Sequence, residues 1–166
     1  MTNKSKIIGV TGHRKLFHKA SHIKYALRKS LVYLRDNKGY DKVITGMALG
    51  FDTLVAEACI DVGIPFIAYL PFENQHEKWG YSQQSTFEQL LKQAELVYLV
   101  SKGPWENWKY LERDKMIVEN SDLILAYFNE DKDKGRTGSG TGFTISHAEK
   151  QGVPWRNVFN LVRSST

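Results

Sequence analysis

The stretch "DLILAYFNEDKDKGRTGSGTGFTISHAEKQGVPWRNVFNLV", residues 122 to 162, decides how the chain is read. Its first seven residues, 122–128, are apolar without polar alternation, the pattern of a strand buried on both faces. A loop follows in which Gly135, Gly138, Gly140 and Gly142 fall within eight positions, then a helical stretch, then a second apolar run over 155–162. Strand, helix, strand is the repeating unit of a parallel sheet with right-handed crossovers.

The same alternation extends back to the start of the chain. "KIIGVTG" (6–12), "DKVITG" (41–46), "PFIAYLPF" (65–72) and "ELVYLVS" (95–101) each read as a strand buried on both faces. Helical stretches separate them, for example "HIKYALRKSLVYLRDN", where Ile23, Leu27, Leu31 and Leu34 recur at helical spacing. No repeat or Pro- or Ser-rich linker divides the 166 residues. The expectation is an α/β fold: a single Rossmann-like three-layer α/β/α domain, residues 1–166, with a mainly parallel sheet.

Composition excludes some functions and bounds others. No apolar run approaches the roughly 18–20 residues needed to span a bilayer, and the N-terminus lacks the apolar core of a signal peptide, so the reading is cytoplasmic with no membrane partner. Cys59 is the only cysteine and lies among apolar helical positions, which predicts a buried bystander. A net charge of +5 favours an anionic partner. The cations are dispersed, so a phosphate-bearing small molecule fits as well as nucleic acid.

In an open parallel sheet, ligands bind beyond the carboxyl ends of the strands, so the loops there are the ones to inspect. In the glycine-rich loop, Gly138, Ser139, Gly140 and Thr141 would offer free backbone N–H groups and hydroxyls at a helix N-terminus, which suits a phosphate. The spacing is neither the dinucleotide fingerprint nor a Walker A loop, and a plain surface turn is the competing reading. After the second strand, Gly46 and Gly50 would bring backbone close to a ligand. Asp52 there reads either as a helix N-cap or as an acceptor for ribose hydroxyls. Thr11, Gly12, His13 and Arg14 follow the first strand, and an Arg fork binds phosphate bidentately. His13, His18 and His22 lack the carboxylate or thiol spacing of a metal site, so no metal and no cofactor is expected. Trp79, Trp105 and Trp108 border the same rim, as base-stacking surfaces, oligomer contacts or core.

Together "TGHR", "ITGMALGFDTLVAEA", "GIPFIAYLPFENQHEKW", "ERDKMIVENSDLILAYF" and "GSGTGFTISHAEKQGVP" resemble the SLOG superfamily over about residues 7–160, most closely its YpsA-like branch, which is similar to the LOG or "lysine decarboxylase" family and to the DprA Rossmann domain. The resemblance implies a Rossmannoid fold that binds nucleotides or derivatives such as ADP-ribose or NAD-like molecules, homodimers or higher oligomers, and in several branches cleavage of a base–ribose bond. LOG enzymes carry an Arg in an "ERKxxM"-like helix, matched by Arg113 with Asp114 beside it. Their "GGxGTxxE" loop ends in a glutamate, and Thr144 stands at that position in this sequence. Glu73 or Asp52 are the carboxylates that a neighbouring loop could supply instead.

Three functions follow in order. The first is a binding module, sensor or sequestering protein for a nucleotide-derived small molecule. The second is a LOG-like phosphoribohydrolase with Arg113, Glu73 and Asp114 as its catalytic set. The third, permitted by charge but not favoured, is a DprA-like single-stranded nucleic-acid binder. For self-association the stretch "GPWENWKYLERDKMIVENSD" offers Trp105, Trp108, Met116 and Ile117.

Overall fold

In the computed structural model, which describes residues 4–132 and 139–163, six parallel strands form one sheet in the order β4-β3-β2-β1-β5-β6. The strands are β1 (Ile7–Gly12), β2 (Lys42–Thr45), β3 (Phe66–Leu70), β4 (Leu96–Leu99), β5 (Leu123–Tyr127) and β6 (Trp155–Asn157). Helices α1 (Ala20–Lys38), α2 (Phe51–Val62), α3 (Tyr81–Gln93), α4 (Asn107–Glu119) and α5 (Gly140–Gln151) fill the intervals. This is a Rossmann-like α/β fold.

The helices divide between the two faces of the sheet. Ile23, Leu27, Leu31 and Leu34 of α1 join Phe51 and Val55 of α2 and Phe87 and Leu90 of α3 against Val10, Val43, Phe66 and Leu125. On the other face Ile117 and Val118 of α4 and Ala148 of α5 meet Ile44 and Ile124. Burying each large aliphatic side chain contributes about 1.5–3 kcal/mol, so the period of 3.6 in the helices is what anchors them.

β1 pairs with β2 on one side and β5 on the other, with Thr11 opposite Ala126 and Gly12 opposite Tyr127. Sequence order reverses direction across the sheet at this pair, which opens a crevice beyond the carboxyl ends of β1 and β5.

Two expected strands differ from their reading. β4 is not buried on both faces: Leu96, Val97 and Tyr98 are 54%, 42% and 43% exposed, because β4 is the outer strand and pairs with β3 alone. The run over 155–162 is a strand only as far as Asn157. There the Asn157 side chain accepts from the N–H of Phe128 (3.1 Å) and of Phe159 (3.1 Å), turning the chain into a 3-10 helix, Val158–Leu161. Cys59 is buried and its thiol is pushed up to about 12 by desolvation. Among the described residues no helix is long and apolar enough to cross a membrane.

Candidate functional site

The crevice at the β1–β5 junction encloses about 430 Å³. Its walls come from the end of β1, the start of α2, the first two turns of α4 and the N-terminus of α5.

From β1 come Thr11, Gly12, His13 and Arg14. His13 straps two loops together: its N–H donates to the Tyr127 carbonyl (3.2 Å), and its Nε2 accepts from the Asn129 N–H (3.0 Å). That bond requires Nε2 to be unprotonated, so His13 serves as a scaffold in this arrangement. Arg14 differs, because among the described residues no hydrogen bond or close ion pair holds its guanidinium, which lies 5.6 Å from the centroid of the Tyr110 ring. Its backbone is fixed by Gly50, at φ +84°, where any Cβ would overlap the Arg14 carbonyl.

Arg113 is 5% exposed and tightly held. Its Nη1 donates to the carbonyls of Gly46 (2.7 Å) and Tyr69 (3.4 Å), and its Nε donates to Asp114 Oδ1 (2.8 Å). A side chain at position 46 would collide with this guanidinium, so Gly46 stands behind Arg113 and outside the cavity wall. Burial raises the Asp114 carboxyl, opposed by the charge of Arg113 and by hydrogen bonds from Arg113 and Thr144. Thr144 is fully buried with its hydroxyl 2.8 Å from the Gly140 carbonyl and beside Asp114, and its single proton serves one of these two acceptors at a time.

Asp52 sits in the first turn of α2 and is 6% exposed. It is not the N-cap; Gly50 is. The Asp52 Oδ2 accepts from the Ala48 N–H (3.3 Å), while Oδ1 is buried and has no hydrogen-bond partner among the described residues. Desolvation raises the carboxyl to about 7, the Arg113 charge working against the shift and Asp114 adding to it. A buried carboxylate oxygen with no donor is costly, which goes with the raised Asp52 carboxyl.

The last wall is the start of α5. Ser139 is its N-cap, with Oγ accepting from the Gly142 N–H (2.8 Å). Among the described residues the N–H groups of Gly140 and Thr141 have no partner, and they lie at the positive end of the helix dipole. Gly138 lies outside the described residues.

Thus Thr11, Gly12, His13, Arg14, Asp52, Arg113, Asp114, Ser139, Gly140 and Thr141 line one crevice. Gly46 and Gly50 support it from behind. Glu73 is elsewhere: it is exposed, and its N–H donates to the Gly103 carbonyl (3.1 Å). Of the tryptophans, Trp108 lines the crevice, Trp79 packs against Phe87, and Trp105 is 60% exposed away from it. Sequence reading missed Asn107, Tyr110 and Leu111, which share a helix face with Asp114 at spacings of three, four and seven. The start of α4, had it been placed, was the available signal. Among the described residues no group of three or more His, Cys, Asp or Glu could hold a metal ion.

The fold and the loops have known counterparts. A UPF0398 protein of Brevibacillus brevis is 29% identical over 117 residues, covering 67% of this chain and 62% of the relative. One of Bacillus cereus strain B4264 is 29% identical over 142 residues, covering 76% of each. With 62% and 65% of their lengths covered, the Brevibacillus brevis and Lysinibacillus sphaericus relatives are matched over less than two thirds of their own chains. Among solved structures, DNA processing protein A from Helicobacter pylori, described for its single-stranded DNA binding mode, superimposes with a TM-score of 0.65 at 17% identity, over 90% of this chain and 63% of that one. The molybdenum cofactor binding protein from Rippkaea orientalis gives 0.58 at 18% identity, over 93% of this chain and 76% of that one. At such identities these two show the shared fold. The profile of the YspA SLOG family matches residues 6–159, and the chain belongs to that family.

Proposed function

We propose that the protein binds a nucleotide-derived small molecule, such as a nucleoside phosphate, ADP-ribose or an NAD-like compound, in the β1–β5 crevice, as a sensor or sequestering protein. The observation that carries this reading is the Oδ1 of Asp52, buried without a partner among the described residues in a crevice that also holds the Arg14 guanidinium and the first amides of α5. The free amides of Gly140 and Thr141, with the Arg14 guanidinium that no hydrogen bond holds among the described residues, suit a phosphate. The Asp52 oxygen suits a hydroxyl donor such as a ribose, and Trp108 and Tyr110 offer rings at the rim for a base. One cavity thus has an anion end, an acceptor and an aromatic edge. Its single buried thiol fits a cytoplasmic location.

Self-association is part of the proposal. Trp105 and Trp108 are 60% and 53% exposed, and β4 presents Leu96 and Tyr98 at the sheet's edge. Ile117, expected at that surface, is 2% exposed in the core.

A second reading is favoured by one contact. Asp114, on α4, meets Thr144, the position where the LOG pattern carries its glutamate, so a carboxylate reaches that place from the neighbouring helix. In a base–ribose hydrolase Asp114 would take the acid–base role beside Arg113. Mass spectrometry of ligand released from denatured purified protein tests binding, and recovery of no nucleotide derivative, with none bound in calorimetric titrations, refutes it. Chromatography of wild-type reactions with a nucleotide panel separates the readings: base release abolished by Asp114→Asn establishes the enzyme, and bound but unaltered nucleotide establishes the binder.

A further inference from the structure

A second concavity of about 370 Å³ lies away from the crevice, between α1 and the segment from β6 through the 3-10 helix. Its floor is aliphatic: Leu34, Leu125 and Val158 are each 1% exposed, and Leu161 stands at the edge, 66% exposed. Tyr25, Lys29 and Tyr33 line the α1 side at successive spacings of four, a ridge roughly 12 Å long at 1.5 Å per residue. Both tyrosines are exposed, at 58% and 47%.

Charge on this groove has one sign. Lys29 and Arg156 line it, and no Asp or Glu does. Among the described residues neither cation has a carboxylate within ion-pair distance; the neighbouring Arg28 is already paired with Asp61 at 3.4 Å. Two copies of this face would oppose Lys29 and Arg156 to their own counterparts, which disfavours self-pairing. Stacked bases are disfavoured as well, since the Lys29 ammonium sits over the Tyr25 ring, 5.4 Å from its centroid, and the floor is a recessed aliphatic surface instead of a flat ring.

We propose that this groove docks an acidic amphipathic helix of a partner protein, whose apolar edge fills the floor between α1 and the 3-10 helix and whose flanking carboxylates meet Lys29 and Arg156. This is helix-in-groove recognition, with apolar anchors at i, i+4 and i+7 setting the fit and rim charges setting the choice of partner. It does not depend on what fills the β1–β5 crevice.

Fluorescence anisotropy with three probes tests it on the full chain: a stapled helix of about 14 residues with a leucine edge flanked by glutamates, its twin with lysines for glutamates, and an oligothymidylate. The glutamate helix is expected to bind at least about tenfold tighter than its lysine twin. Lys29→Glu with Arg156→Glu is expected to reverse that order, and Leu161→Asp to abolish binding. All three positions are exposed, and circular dichroism checks that each variant stays folded. Equal affinity for the two helices, no binding of the glutamate helix, or an oligothymidylate that binds tighter and is lost in the same variants overturns the proposal.

Discussion

Arg113 and Asp52 line the same crevice and feel each other's charge, yet no hydrogen bond joins them. The guanidinium donates from Nη1 to the Gly46 and Tyr69 carbonyls and from Nε to Asp114, and among the described residues Asp52 keeps one oxygen with no donor. The Nε and Nη1 of Arg113 are directed to other acceptors, which leaves Asp52 an oxygen for something else.

This arrangement makes stability depend on pH. The Asp52 carboxyl is raised from 3.8 to about 7 in the folded chain, so as pH rises the unfolded chain loses this proton first. The stabilisation is full below about 3.8 and is lost as pH climbs through about 7. Asp52→Asn keeps an oxygen for the Ala48 N–H and carries no charge. Thermal melts at pH 5 and pH 8 are expected to show a decline in wild type that the variant lacks, of order 2–4 kcal/mol. Parallel declines in both would refute the assignment.

Arg14→Ala and Arg113→Ala are expected to fail differently. Among the described residues no hydrogen bond holds the Arg14 side chain, so its loss should leave the melting temperature near wild type while nucleotide affinity falls roughly 10–100-fold. Arg113→Ala strands Asp114 and two carbonyls in the interior and should cost about 3–5 kcal/mol, part of it recovered by adding Asp114→Asn. Denaturant titration and calorimetry on the same samples read both quantities.

At Gly140 a Cβ would meet only Asp114 Oδ2, at 3.7 Å, so Gly140→Val should fold. Its methyl groups would occupy the space in front of the α5 amides, and nucleotide binding is expected to weaken more than about tenfold. Unchanged affinity in a calorimetric titration rejects the phosphate position.

Light scattering at micromolar concentration is expected to give a mass above the 19.0 kDa of one chain. Leu96→Lys with Tyr98→Lys, at the open edge of the sheet, should return it to the monomer mass. A wild-type monomer removes the assembly.

The sheet and most of the crevice were legible because both follow from short-range rules. Apolar runs without alternation give central strands, and polar and glycine-rich residues cluster after them. β4 escaped the rule because its composition is that of a central strand while its place is at the edge, which only the strand order reveals. Asn157 ended β6 early through a side-chain bond to Phe128, a partner 29 residues away that no local pattern contains. Glu73 and Gly46 illustrate the other limit. Both follow a strand's carboxyl end, but one is exposed to solvent and the other stands behind Arg113, a distinction made by tertiary packing and not by spacing.

Because β1 pairs with β5, Ile8 finds its partner Leu123 only after most of the chain has been made. During synthesis at the ribosome the first strand can gain β2 early, while its other edge stays open until residues 123–127 emerge. The crevice is assembled from Arg14, Asp52, Arg113 and Gly140, so it is completed late, once the start of α5 has emerged. A molecule bound there would favour finished chains over nascent ones and act as a pharmacological chaperone for this fold.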